Sequence, residues 1–144
     1  MPALVVTGLL VTISLVDFQV RRIPNALVLA LLLWAVVQAL WLGQPTPVAA
    51  GLGLLVGGGL LFLIALAGRG AMGAGDVKLG AALGAVLGYP LILRALFFGV
   101  LAAGVGALVL LAARRAGRKD YMAYGPYLAL GAWIIWTQSL GLWP

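Results

Sequence analysis

The chain has 144 residues, 65% of them hydrophobic and 8% charged, with a net charge of +6 and neither Cys nor His. Soluble proteins carry about 25% charged residues, so this composition excludes a soluble domain and points to an all-α polytopic membrane protein. The missing Cys and His exclude disulfide frameworks, thiol nucleophiles, His-based triads and Cys/His zinc sites, so no metal or cofactor is expected.

A crossing helix needs about 20 apolar residues to pass about 30 Å of hydrocarbon. Breaks at charges, Pro and Gly clusters predict six spans, near residues 2–18, 25–42, 48–67, 77–89, 91–112 and 121–141, in one membrane domain over residues 1–144. The first has no positive flank before it and is expected to be a retained span, not a cleaved signal peptide. It ends at Asp17, in SLVDFQVRRIPN. The connector Gln19–Pro24 carries Arg21 and Arg22. Pro24 and Asn25 open the second span, Pro suiting a first helical turn, and the Asn side chain is expected to hydrogen-bond locally, towards the Asp17 loop. After Gly43–Pro47 and the third span comes Gly68–Asp76, which holds Arg69 and ends in GAGD.

The fourth span is short. From Val77 to Tyr89 it covers about 20 Å at 1.5 Å per residue, which calls for local bilayer thinning or a membrane-embedded loop before it. Gly80, Gly84 and Gly88 repeat at four-residue spacing, with Ala81 and Ala85 alongside. This ridge of small residues admits a close neighbouring helix: either generic packing, or span one, which would carry Asp17 towards Asp76. A tight turn at Gly88–Pro90 leads to span five. Arg114, Arg115, Arg118 and Lys119 then crowd the connector Ala113–Asp120, in which Asp120 is expected to be solvated. Trp34, Trp41, Trp133, Trp136 and Trp143 suit packing or interface anchoring.

The positive charges orient the chain. Three connectors on one side hold nearly all of them, and the other side holds only Arg94. By the positive-inside rule the basic side is cytoplasmic and both termini face outward. The surplus of Lys and Arg is thereby explained without nucleic acid, for which there is no soluble basic domain or stacking platform. Lys and Arg alone thus put Asp17 and Asp76 at one depth on one side.

These are the acids of the apolar segments, and an ionisable group there costs free energy unless it has a partner or a task. Two carboxylates within hydrogen-bonding reach share a proton. The ionised member can draw a proton from water while the protonated one donates to a scissile carbonyl, so water attacks without a covalent intermediate. Plainer roles exist. Asp76 can cap the helix of span four. Asp17 stands near a helix C-terminus, where its charge opposes the dipole by about 0.3–1 kcal/mol, and Arg21 four residues on can pair with it. Gly73 and Gly75 permit backbone angles closed to other residues and leave room for an extended peptide. Lys78, two residues past Asp76, points away from that helix face; it can touch substrate or snorkel to the interface. Arg21 and Arg22 can likewise meet a substrate acid or anchor the loop.

At these residues the chain resembles the type IV prepilin peptidase family of GxGD aspartic membrane proteases. Asp17 followed by basic residues and Ile23-Pro24-Asn25 resembles the first catalytic block, Gly73-Ala74-Gly75-Asp76-Val77-Lys78 the second, and Tyr124-Gly125-Pro126-Tyr127-Leu128-Ala129 a third. The resemblance implies that Asp17 and Asp76 are the catalytic pair of an aspartic endopeptidase. It adds Gly125 and Pro126 to the substrate-groove candidates Gly73, Gly75, Lys78, Arg21, Arg22, Pro24 and Asn25. It further implies, as substrate and partner, a pilin-like or flagellin-like precursor whose basic leader is cut at the cytoplasmic face of the inner membrane. Larger members carry a four-Cys zinc region and also N-methylate the product. With no Cys, this chain resembles the minimal form, of which methyl transfer is not expected. It departs from the family at Ala123-Tyr124, where Pro-Phe is common. The readings that compete with a peptidase are a small ion- or proton-coupled transporter, or a non-catalytic subunit in which the aspartates are caps.

Overall fold

The computed structural model describes residues 2–68, 72–113 and 123–142. Arg69, the basic cluster Arg114, Arg115, Arg118 and Lys119, and Asp120 and Trp143 lie outside them. The described residues form six α-helices and no strand: α1 (Pro2–Val20), α2 (Asn25–Val37), α3 (Pro47–Ala67), α4 (Ala74–Leu87), α5 (Leu91–Ala112) and α6 (Gly125–Ser139). A π-helical segment, Gln38–Leu42, prolongs α2.

Local chemistry sets the ends. The Thr46 hydroxyl accepts the Ala49 N–H at 3.3 Å and Pro47 fills the first position of α3, a favoured start. Gly88, at φ 73°, closes α4 with its N–H on the Gly84 carbonyl at 2.8 Å, a positive-φ ending that glycine tolerates. Four helices are long and apolar enough to cross a bilayer: α1, α2 with its π-helical end, α3 and α5. The protein is a membrane protein. α4 and α6 have only 14 and 15 residues, about 21–23 Å at 1.5 Å per residue.

The short α4 is the enclosed element. Leu79, Leu83 and Val86 are buried, while α3 turns Leu55, Phe62 and Leu63 outward. The predicted ridge of small residues packs on α3 and not on α1. A Cβ on Gly84 would run into the Gly53 carbonyl, and one on Gly57 into the Gly80 carbonyl. The partner is α3 because Gly53 and Gly57 supply the matching flat surface. Asp17 is delivered to α4 differently: α1 and α4 both pack on α6.

The helices alternate in direction. Asn25 meets Lys78 and Asp17 meets Gly125 at one end. Gln38 meets Val86 and Thr7 meets Trp133 towards the other. One end of the bundle thus gathers the close of α1 and the starts of α2, α4 and α6. Several boundaries differ from the predicted ones, among them the end of α4, at Leu87 and not Tyr89, and both ends of α6, at Gly125 and Ser139 and not 121 and 141. α1 runs on to Val20, so Asp17 lies within the helix. α4 begins at Ala74, so Asp76 belongs to its first turn and not to a connector.

Gly84→Val should part α3 from α4 and destabilise the protein by about 1–3 kcal/mol, the usual cost of overpacking. Gly59→Val, which meets nothing within 4 Å, should leave stability within about 0.5 kcal/mol. Unfolding of both variants by a denaturing detergent checks this, and equal midpoints would contradict it.

Candidate active site

Asp17 sits in the last turn of α1 and is 3% exposed. Its Oδ2 accepts the Gly125 N–H at 3.1 Å. Gly125 is the first residue of α6, so the unfavourable end of α1's dipole is met by the favourable end of α6's. The pairing with Arg21 takes another form: the Arg21 N–H bonds the Asp17 backbone carbonyl at 2.8 Å, and no side-chain ion pair joins the two among the described residues. Arg21 has φ 52°, closing α1 with a left-handed residue where glycine is usual.

Asp76 is the third residue of α4 and 5% exposed. It is not the N-cap, which is Gly73. Its Oδ2 accepts the Gly73 N–H at 3.2 Å, reaching back to the cap as the acidic half of a capping box does. The expectation that Gly73 needs angles closed to other residues is not met: its φ of −74° and ψ of 152° are ordinary extended backbone, and Gly75 is helical. Space explains Gly75 better, since a Cβ there would stand 3.3 Å from the Ile23 Cβ. The α1–α2 turn thereby closes onto the start of α4.

Asp17 and Asp76 line one cleft of about 460 Å³ together with Gly73, Gly75, Arg21, Arg22, Asn25 and Lys78. Ile23, Ala74 and Ala123 line it too; being apolar, they carried no chemical signal, only adjacency to the acid blocks. Three candidates stand apart from the lining. Pro24 caps α2, its carbonyl accepting the Leu27 and Val28 N–H groups. Gly125 touches Asp17, and Pro126 lies in the first turn of α6. Asn25 does not turn to the Asp17 loop: its Oδ1 accepts from Lys78 Nζ at 3.3 Å. Lys78 therefore bridges the starts of α2 and α4 at the cleft, despite its angular offset from Asp76.

Two carboxylates face three cations across this cleft. Each acid has one oxygen fixed by a backbone amide, and neither second oxygen takes a hydrogen bond from a described residue. Such a pair can polarise water held between them. Among the described residues, no group of three His, Cys, Asp or Glu side chains lies together.

Residues 4–111 match the type IV leader peptidase family. The chain is similar to the prepilin leader peptidase/N-methyltransferase of Neisseria gonorrhoeae, at 32% identity over 97% of this chain and 49% of that protein. It is similar to the protein of the same name from Aeromonas salmonicida strain A449, at 32% over 98% of this chain and 51% of that one. The corresponding figures for Bacillus subtilis strain 168 are 33%, 91% and 53%. The chain spans about half the length of these curated relatives. No solved structure matches it.

Lys78→Met and Asn25→Ala should each cost about 0.5–1.5 kcal/mol of stability. Because the two share one hydrogen bond, the double variant should cost less than the sum. Unfolding of the four proteins measures this, and strict additivity would refute the bridge.

Proposed function

The chain belongs to the type IV leader peptidase family, and we propose that it is an intramembrane aspartic endopeptidase that removes the leader peptide from a type IV pilin-like or flagellin-like precursor. The observation that carries this reading is the shared cleft: two buried aspartates from distant parts of the chain line it, each with one oxygen held and one available.

The chemistry follows from the pair. Asp17 and Asp76 share a proton. The ionised partner takes a proton from water as it attacks the scissile carbonyl carbon, and the protonated partner donates to the carbonyl oxygen. Collapse of the tetrahedral diol expels the amine, which takes the proton drawn from water, while a diol hydroxyl returns its proton to the other aspartate. The steps need no metal and no covalent acyl intermediate. At about 460 Å³ the cleft is within the usual range for binding sites.

The membrane arrangement belongs to the same proposal. Six helices cross the inner membrane, with α4 and α6 as the short members, both termini outside and the acid pair at the cytoplasmic face. Support comes from the alternating helix directions together with the Lys and Arg of the sequence, which gather on the side of the acids. Residues 1–144 act as one peptidase domain. Arg21, Arg22, Lys78, Asn25, Gly73 and Gly75 border the substrate path, with Pro24, Gly125 and Pro126 supporting it from behind. A basic leader approaching this mouth meets cations, so the lysines and arginines of the leader are expected to lie outside the cleft, near lipid headgroups.

Asp17→Asn and Asp76→Asn keep the side-chain shape and should each reduce cleavage of a pilin-like precursor in liposomes by at least about 10²-fold, with the protein still folded and inserted. Turnover persisting in either variant would sink the acid pair. EDTA should leave the wild-type rate unchanged; a loss that zinc or magnesium restores would refute the metal-free mechanism.

A further inference from the structure

The Gly125 amide that meets Asp17 is the free donor of its helix turn. Pro126 has no N–H. Tyr127 and Leu128 give theirs to the Tyr124 carbonyl, at 3.1 and 3.0 Å. That leaves the Gly125 amide, and the buried Asp17 carboxylate takes it at 3.1 Å.

Sterics at this point are as demanding as the hydrogen bond. A Cβ on Gly125 would run into Asp17 Oδ2 and stand 3.0 Å from its Cγ and 3.3 Å from Ile23 Cδ1. Only a residue without a side chain lets the carboxylate reach the amide. The start of α6 is itself fixed. Gly99 of α5 lies so close that a Cβ there would stand 3.1 Å from Leu128 Cα. Two turns further along α6, Trp133 Nε1 donates to Thr7 Oγ1 at 3.2 Å. α6 is thus wedged against α5 and tied to α1 at two heights, and the lower tie is the one on Asp17.

We propose that Gly125 is a positioning residue for peptide hydrolysis: its amide fixes Oδ2 of Asp17 and so aims Oδ1 at the water shared with Asp76. This rests on the acid-pair reading above and assigns α6 a part in the chemistry. Gly125 contacts no substrate. It sets where a carboxylate stands, and misplacing a catalytic group by about 1 Å can cost on the order of 10²-fold in rate.

The test uses the whole chain in nanodiscs. Gly125→Ala pushes the carboxylate off the amide. Glycolate in place of Gly125, introduced by in vitro translation, deletes the N–H and adds no atom, so it decides the matter should the alanine variant fail to fold. The chain holds three acidic residues, all Asp, so labelling with 13C at the Asp carboxyl gives three side-chain resonances, and loss of one in Asp17→Asn assigns it. Both Gly125 variants should lower kcat on the order of 10²-fold, leave KM within about threefold, and move the Asp17 resonance but not that of Asp120. Gly131→Ala, whose Cβ would press on the α5 backbone, should lower thermal stability without moving kcat or the Asp17 resonance.

An unmoved Asp17 resonance, an unchanged kcat, or a loss confined to KM would overturn the proposal. So would Gly131→Ala reproducing the full effect, since Gly125 would then act only through packing. Full activity of Asp17→Asn would instead remove the acid pair itself. Inactive Asp17→Asn beside a fully active Gly125→Ala would remove only the positioning role.

Discussion

The structure turns on what a buried carboxylate needs where there is little water. Desolvating such a group costs free energy unless hydrogen-bond donors replace the lost water. Lysine and arginine at the membrane end are one source of donors, but they lie on long, flexible stems at the mouth of the cleft. The donors found here are backbone amides at the starts of helices. Asp76 takes the amide of its own helix cap, and Asp17 takes the first amide of α6. Both are short connections to rigid elements, and both sit at the positive end of a helix dipole. Fixed amides hold a carboxylate without neutralising it, which leaves its second oxygen available for proton transfer.

The lengths of the helices serve this arrangement. α4 and α6, with 14 and 15 residues, are shorter than the roughly 20 residues a full crossing needs. Their starts, rich in free N–H groups, stand at the two acids. A helix as short and glycine-rich as α4 has little side-chain surface to hold it. α3 supplies the lateral support, with Gly53 and Gly57 against Gly84 and Gly80 at backbone contact. The bridge between Lys78 and Asn25 and the fit of Gly75 on Ile23 then close the α1–α2 turn over the site.

Much of this was legible in the chain. Apolar runs marked α2 with its π-helical end, α3 and α5 to within a residue or two, with Arg94 as the one charge inside them, because a membrane span is a composition signal. The rarity of acids singled out Asp17 and Asp76 without any structure. What stayed hidden were relations between segments. The glycines of α4 announced a close neighbour but not which one; that it is α3, through Gly53 and Gly57, shows only once the helices are packed. Gly73 suggested backbone freedom, while its φ is ordinary and its contribution is an N–H. Gly125-Pro126 is a helix-start signature, and the family resemblance alone adds it to the groove candidates. That its amide would face an acid more than a hundred residues earlier could not be read from spacing.

The central claim is that Asp17 and Asp76 stand across one cleft in the membrane-embedded protein. The chain contains no Cys, so the double variant Asp17→Cys/Asp76→Cys carries the only two thiols. Treated in native membranes with a short bifunctional thiol reagent, it should form an intramolecular cross-link in high yield, and a precursor-derived peptide spanning the cleavage site should slow that reaction. If each thiol reacts with a monofunctional reagent yet no cross-link forms, the two positions do not share a cleft and the account fails.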